Sequence, residues 1–199
     1  MPMVAVNGIE LNVHISGNGP TVVFLHGFPH TWRVWSEVID DFAVDHRIVA
    51  PDLRGFGGST RTAEGMDAAT VSRDIEQLIT TLGSSPVTVV AIDAGVPPAF
   101  LLAMRRPEIF ERLVLIESTL GRLPGPDAFF AAGPPWWFGF HAVPGLAEQV
   151  LRGTKLSESS GFTTRAPEDA ASGRTFKRPS GLPSPNQEPW VPHWATTGP

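Results

Sequence analysis

The 199-residue chain contains no cysteine and no tyrosine. Without cysteine it has no disulfide framework, no thiol nucleophile and no thiolate-bound metal. No stretch approaches the roughly 18 continuous apolar residues of a membrane span, and the opening MPMVAVNGIELN lacks the regions of a signal peptide. The formal charge of −5 argues against nucleic acid, since phosphate binding favours a basic surface. These absences predict a cytoplasmic protein that binds neither membrane nor nucleic acid.

Composition changes abruptly near residue 153. Within 154–199 only three residues are Ile, Leu or Val, whereas Ser and Pro together number 13. The segment has neither a helical nor a strand period of apolar residues, so burial cannot offset the entropy lost on ordering. We therefore expect 154–199 to be disordered. It is either a flexible tail or the out-of-frame product of a truncated or frameshifted gene.

The first 153 residues predict strands that alternate with amphipathic helices. Asn7-Gly8 is a strong hairpin dipeptide between two short alternating runs. Mostly apolar strands are predicted at 21–27, 46–55, 87–93 and 112–118. Two helical stripes of apolar residues follow the 3.6-residue period: Trp35, Val38, Ile39 and Phe42, then Val71, Ile75, Leu78, Ile79 and Leu82. A further helix through AFLLAMRR is predicted to stop at Pro107.

This alternation indicates an α/β fold with a mostly parallel sheet and helices on both faces. In such sheets the chemistry lies beyond the carboxyl ends of the strands. Four segments fall at predicted strand ends: HGFP (26–29), DLRGFGGS (52–59), IDAG (92–95) and IES (116–118). We expect a functional site where they meet. No G-x-G-x-x-G follows the first strand, so a dinucleotide is not expected, and no other cofactor is indicated.

The segment AIDAGV (91–96) has the small-x-nucleophile-x-small outline of a strand-turn-helix elbow, with aspartate as its central residue. Together with HGFP and DLRGFGGS it resembles the α/β-hydrolase family. Within that family it is similar to the Asp-nucleophile branch of epoxide hydrolases and haloalkane dehalogenases. The resemblance extends to about residue 153. It implies a hydrolase core over 1–122 and the beginning of a helical cap over 123–153.

The resemblance also implies roles for single residues. Asp93 becomes the nucleophile, although an Asp at this place can also be a plain helix N-cap. The backbone N–H groups of Phe28 and Ala94 form the oxyanion hole. Glu117 is the carboxylate that orients a histidine, or else an exposed acid at a strand end. His26 is expected to be structural, as are Asp52 and Arg54, which brace their loop by pairing and backbone hydrogen bonds.

The base histidine of this family comes late in the chain. The chain has six histidines, at positions 14, 26, 30, 46, 141 and 193. The first five are too early or structural, and His193 lies in the segment predicted to be disordered. We therefore expect nucleophile and acid without a base, and hence impaired turnover.

Residues 134–150 resemble the start of the cap. There Trp136, Trp137 and Phe140 are either the apolar wall of a substrate pocket or ordinary core aromatics. The substrate is expected to be a small apolar electrophile, an epoxide or an alkyl halide. Epoxide opening in the family uses cap tyrosines, which this chain lacks, and the dehalogenase halide donors are also missing at Phe28 and Ala94. HGFP and the cap sequence favour the epoxide hydrolase type. A dehalogenase-like hydrolase and a non-catalytic binding protein on the same fold remain alternatives.

Overall fold

A computed structural model describes residues 1–118, residues 120, 131, 138, 140 and 143, and residues 146–150. The predicted cap, 123–153, lies mostly outside these residues, and the predicted tail, 154–199, lies entirely outside them. Among the described helices none is long and apolar enough to cross a membrane.

Six strands of the described chain form one sheet in the order β1-β2-β4-β3-β5-β6. Their bounds are Met3–Val6 for β1, Ile9–Ser16 for β2, Thr21–Leu25 for β3, Arg47–Pro51 for β4, Val87–Ile92 for β5 and Phe110–Ile116 for β6. The pairs β1-β2 and β2-β4 are antiparallel, and β4, β3, β5 and β6 are parallel. The α/β fold with a mostly parallel sheet is confirmed.

The first three helices lie between the strands as the sequence predicts, and a fourth, short helix follows the last strand. Their bounds are Ser36–Phe42 for α1, Ala68–Thr81 for α2, Val96–Arg105 for α3 and Leu146–Val150 for α4. Short 3₁₀ turns cover Trp32–Trp35, Asp93–Gly95 and Pro107–Ile109. The hairpin at Asn7-Gly8 is also present, with φ of 43° and 77°.

Two apolar clusters hold the sheet between its helices. The larger lies against α2 and α3, and includes Val71, Ile75, Leu78 and Ile79 of the α2 stripe. The smaller lies on the opposite face against α1, around Phe24 and Trp35. The α1 stripe was only half right. Trp35 and Ile39 are buried, whereas Val38 and Phe42 are 37% and 43% exposed, because this helix is short and one edge of it faces outward.

Strand ends differ from the sequence-based bounds by a few residues. The strand predicted at 21–27 ends at Leu25, that at 46–55 spans Arg47–Pro51, and that at 112–118 spans Phe110–Ile116. The motif residues therefore lie in the loops that follow the strands rather than within them. Several of their backbone N–H groups bond to side chains instead of the sheet ladder, as Phe28 does to Asp93 and Leu53 to His26.

A buried ion pair fixes the loop after β4. The Arg54 guanidinium donates to both Asp74 carboxylate oxygens on α2, at 2.8 and 2.7 Å. Arg54 is 6% exposed and Asp74 is 1% exposed, and the side-chain amide of Asn7 also donates to Asp74 at 2.8 Å. The hydrogen bond to Asp74 raises the pKa of Arg54. The expected bracing role of Arg54 fits this geometry, with a partner that lies on α2.

Candidate active site

Asp93 lies where β5 turns into α3, in a backbone conformation that few residues adopt. Its φ is +49°, in the left-handed region, and a 3₁₀ turn leads from it to the start of α3 at Val96. Non-glycine residues pay a conformational cost there, and such positions concentrate at functional sites. The geometry is that of the strand-turn-helix elbow that the motif predicts.

Two close approaches build the turn, and both require glycine. A Cβ on Gly95 would lie 2.7 Å from the carbonyl oxygen of His26 and 3.0 Å from that of Leu25. A Cβ on Gly27 would lie 2.4 Å from Asp93 Cβ and 2.6 Å from Asp93 Oδ1. The elbow therefore packs directly against the loop after β3. This contact explains why the motif needs small residues on both segments.

The Asp93 carboxylate is held by the loop after β3. The backbone N–H of Phe28 donates to Asp93 Oδ1 at 2.7 Å, across 65 positions of sequence. No side chain caps the 3₁₀ turn or α3, so Asp93 is not an N-cap of its own helix. One N–H group of the predicted oxyanion hole is thus in contact with the predicted nucleophile. Ala94, which carries the other, follows Asp93 directly and is exposed.

His26 is buried, and its two ring nitrogens have opposite roles. Nδ1 lies 2.8 Å from the carbonyl oxygen of Gly27, which can only accept, so Nδ1 carries the proton. The backbone N–H of Leu53 donates to Nε2 at 2.9 Å. Acceptance at Nε2 requires a neutral ring, and burial lowers the pKa of His26. Because its lone pair is already occupied, His26 ties the two loops together and is unavailable as a base.

The Asp52 carboxylate also connects the loop after β3 to the loop after β4. Its Oδ1 accepts the backbone N–H of Trp32 at 2.9 Å. Its Oδ2 accepts the Asn12 side-chain amide at 2.8 Å and the backbone N–H of Gly58 at 2.9 Å. The carboxylate is 2% exposed, so these N–H donors supply the compensation that a buried charge needs. Asp52 therefore has the structural role that the sequence predicts.

Glu117 follows β6 in the same way that Asp93 follows β5. Ile92 and Ile116 are register partners in the parallel β5-β6 pair, so the two acids leave adjacent strands at the same level. Glu117 also has a left-handed backbone, with φ of +48°, and its side chain is exposed. Two non-glycine residues with this conformation thus stand side by side at the strand ends.

The remaining predicted positions are less informative. Phe140 is half-buried, and Trp136, Trp137, His141 and His193 lie outside the described residues. Sequence reasoning missed Asp74, although an acid within the apolar stripe of α2 was a readable signal. It also missed Asn12, for which the strand pattern carries no comparable sign. No group of three or more His, Asp or Glu side chains suited to a metal ion occurs in the described part of the chain.

Comparison with known proteins identifies the class. The profile of the family described as alpha/beta hydrolase fold matches residues 20–197, a span that includes the segment of altered composition. The chain belongs to this family.

Two relatives and one solved structure narrow the likeness. The chain is 34% identical over 124 residues to a soluble epoxide hydrolase of Corynebacterium sp. (strain C12), covering 62% of this chain and 43% of the relative. It is 30% identical over 156 residues to a fluoroacetate dehalogenase of Burkholderia sp., covering 75% and 51%. The crystal structure of an epoxide hydrolase from Vigna radiata superposes with a TM-score of 0.67 at 34% identity, covering 75% of this chain and 51% of that one. The chain spans about half the length of these relatives.

Proposed function

We propose that the chain carries the nucleophilic half of an epoxide hydrolase-type active site, with Asp93 as the nucleophile. The observation that carries this proposal is the hydrogen bond from the Phe28 N–H to Asp93 Oδ1 at 2.7 Å. It joins an elbow with a left-handed backbone at Asp93 to a backbone donor that the family resemblance assigns to the oxyanion hole. The similarity to epoxide hydrolases supports the same reaction class.

The hydrogen bond distinguishes the two carboxylate oxygens. Oδ1 is held by Phe28, so Oδ2 is the oxygen that attacks an electrophilic carbon. With an epoxide, the Oδ2–C bond forms while the ring C–O bond breaks, and the ring oxygen leaves as an alkoxide that takes up a proton. Aspartate side chains ionise at about pH 4, so no base is needed for this step. The chain has no tyrosine, so the proton comes from water or from another donor.

The ester formed on Asp93 keeps Oδ1 as its carbonyl oxygen, already in contact with the Phe28 N–H. Water then adds to the carbonyl carbon, and negative charge develops on Oδ1 where the Phe28 and Ala94 N–H groups can stabilise it. Collapse of this intermediate expels the diol and restores the carboxylate. The start of α3 directly behind the elbow favours the same negative charge.

Hydrolysis of the ester on Asp93 needs a base. We expect this second step to be slow in this chain. No histidine among the described residues forms a hydrogen bond or ion pair with Asp93 or Glu117. We propose that Glu117 orients the base in a fully competent site. Two observations support this role. Glu117 and Asp93 follow register partners on adjacent strands, and both residues have a left-handed backbone. The expected behaviour is formation of an alkyl ester with little turnover.

A dehalogenase is the second candidate, favoured by the similarity to a fluoroacetate dehalogenase. Carboxylate attack on a carbon–halogen bond uses the same Oδ2, with halide as the leaving group. The small electrophilic substrate is then a haloacid or an alkyl halide instead of an epoxide. If the chain is instead a non-catalytic binding protein on the same fold, we expect it to bind such compounds reversibly and to form no ester with any of them.

Three probes separate these proposals: styrene oxide, 1-chlorohexane and fluoroacetate. Each is incubated with the chain, and intact mass, released halide and released diol are followed over time. The epoxide hydrolase proposal expects a one-to-one adduct with styrene oxide, and halide release with neither halogenated probe. Halide release without an epoxide adduct supports the dehalogenase. Reversible binding without any adduct supports the binding protein.

Asp93→Asn tests the assignment of the nucleophile, since it removes the charge while keeping the shape of the side chain. Asp45→Asn is the matched control, because it removes a carboxylate whose side chain is 74% exposed and lies outside the site. Adduct formation should fall to background only in Asp93→Asn. Equal labelling of both variants would show that another residue reacts.

A further inference from the structure

The loop that carries the Phe28 N–H is tied down on both sides of this residue: the Gly27 carbonyl accepts from the His26 ring, and the Trp32 N–H donates to Asp52. Its second residue, Gly27, has no side chain, because Asp93 occupies that space. Phe28 itself is 43% exposed. Because the Phe28 N–H must stay within hydrogen-bond distance of Asp93, contacts to the side chains on either side of Gly27 also bear on the site.

The two rings that flank Gly27 both meet one side chain. The Phe56 ring lies edge-to-face against His26, with centroids 5.1 Å apart, and edge-to-face against Phe28, with centroids 6.2 Å apart. The interplanar angle is 76° in both pairs. This geometry is favourable for aromatic pairs.

Phe56 is itself firmly anchored. Its N–H donates to the Leu53 carbonyl at 2.9 Å, and its carbonyl accepts the Ser59 N–H at 3.0 Å. Leu53 is the residue whose N–H reaches His26, and the Ser59 hydroxyl donates to the Asp52 carbonyl at 2.6 Å. The ring therefore projects from a loop that the buried side chains hold in place.

We propose that Phe56 is a positioning residue for the Phe28 N–H, and through it for the Asp93 carboxylate. By holding the rings on either side of Gly27, it keeps the N–H aimed at Oδ1. The inference rests on the proposed function for its chemical consequence, but its structural content is independent of catalysis. Phe56 acts through Phe28 and touches no reacting atom.

The direct test is hydrogen exchange of the Phe28 amide, measured by NMR on the ¹⁵N-labelled full chain. Phe56→Leu should lower the protection of this amide by about two- to tenfold, because the edge-to-face pair with Phe28 is lost together with the pair to His26. Phe56→Tyr keeps the ring and should preserve protection. Phe42→Leu is the matched control. Phe42 lies on α1 and makes a similar edge-to-face contact with Phe24, with ring centroids 6.0 Å apart and an interplanar angle of 84°. Unchanged protection in Phe56→Leu, or an equal loss in Phe42→Leu, overturns the inference.

A double-mutant cycle keeps the test decisive. Phe28→Leu removes the other ring of the pair and retains the backbone N–H, so it should loosen the amide as Phe56→Leu does. The double variant should be little worse than either single one, because both remove the same contact. Additive effects contradict the inference. If Phe56→Leu does not fold, unchanged protection in Phe28→Leu contradicts it equally.

Labelling kinetics separate this inference from the proposed function. With styrene oxide, Phe56→Leu should lower the limiting rate of adduct formation several-fold, leave the half-saturating concentration unchanged, and be rescued by Phe56→Tyr. If styrene oxide does not label the original chain, the proposed function is refuted. The exchange rate of the Phe28 amide still decides the role of Phe56. Normal labelling by Phe56→Leu refutes the positioning role while the proposed function stands.

Discussion

His26 should make the stability of the fold depend on pH in a defined direction. Burial lowers its pKa below the ordinary value of 6.5. The unfolded chain therefore takes up a proton as the pH falls through about 6.5, while the folded chain keeps His26 neutral. The unfolded state binds more protons in this range, so stability decreases as the pH falls, and the loss ends at the folded pKa.

The expected magnitude follows from linkage. One group that titrates only in the unfolded state changes the free energy of unfolding by up to about 1.4 kcal/mol per pH unit. Between about pH 7.5 and about pH 5.5 the loss from one such group is therefore at most about 1.4 kcal/mol. His26→Gln removes the titration but keeps an acceptor within reach of the Leu53 N–H. This substitution removes the hydrogen bond to the Gly27 carbonyl, so it should lower the free energy of unfolding by about 1 kcal/mol at about pH 7.5.

Urea denaturation at several pH values measures the effect. The difference in free energy of unfolding between the original chain and His26→Gln should become smaller as the pH falls. Only the original chain loses the stability that neutral His26 contributes. His14 also has a pKa lowered by burial, so His14→Gln is measured in parallel. A constant gap between the original chain and His26→Gln across the whole range would refute the assignment of His26 as a buried neutral tether.

Three further substitutions test other contacts, each by urea denaturation. Asp74→Ala leaves the Arg54 guanidinium buried without its partner and should cost about 3–5 kcal/mol; a loss below about 1 kcal/mol would contradict this. Asp67→Ala removes the N-cap of α2 and should cost about 1 kcal/mol at neutral pH. Hydrogen bonds from Thr70 lower the pKa of Asp67, so its contribution should disappear as the pH falls through that lowered pKa. Gly95→Ala places a Cβ 2.7 Å from a backbone carbonyl, and should both destabilise the fold and abolish labelling; normal labelling would contradict the packed elbow.

Much of the scaffold was accessible from local patterns. The apolar runs of β3 and β5 and the α2 stripe are local signals, and each formed the expected element. The placement of motifs at strand ends followed from the parallel sheet alone. The α1 stripe was misjudged because periodicity shows which residues share a helix face but not how much of that face the fold covers.

The contacts that make the site were beyond local reasoning. Phe28 and Asp93 are 65 positions apart, and their hydrogen bond depends on the close packing of Gly27 against the elbow. The left-handed backbone of Glu117 has no sequence signature, since nothing in the residue type requires it. Phe56 likewise became relevant only when the fold brought its ring between two others.

The central claim is that Asp93 reacts as a nucleophile held by the Phe28 N–H. The most direct measurement is peptide mapping by tandem mass spectrometry of the full chain after exposure to styrene oxide. We expect an alkyl ester on Asp93, formed faster than on any other carboxylate and absent in Asp93→Asn. An unmodified Asp93, or an adduct that forms equally well elsewhere on the chain, would contradict it.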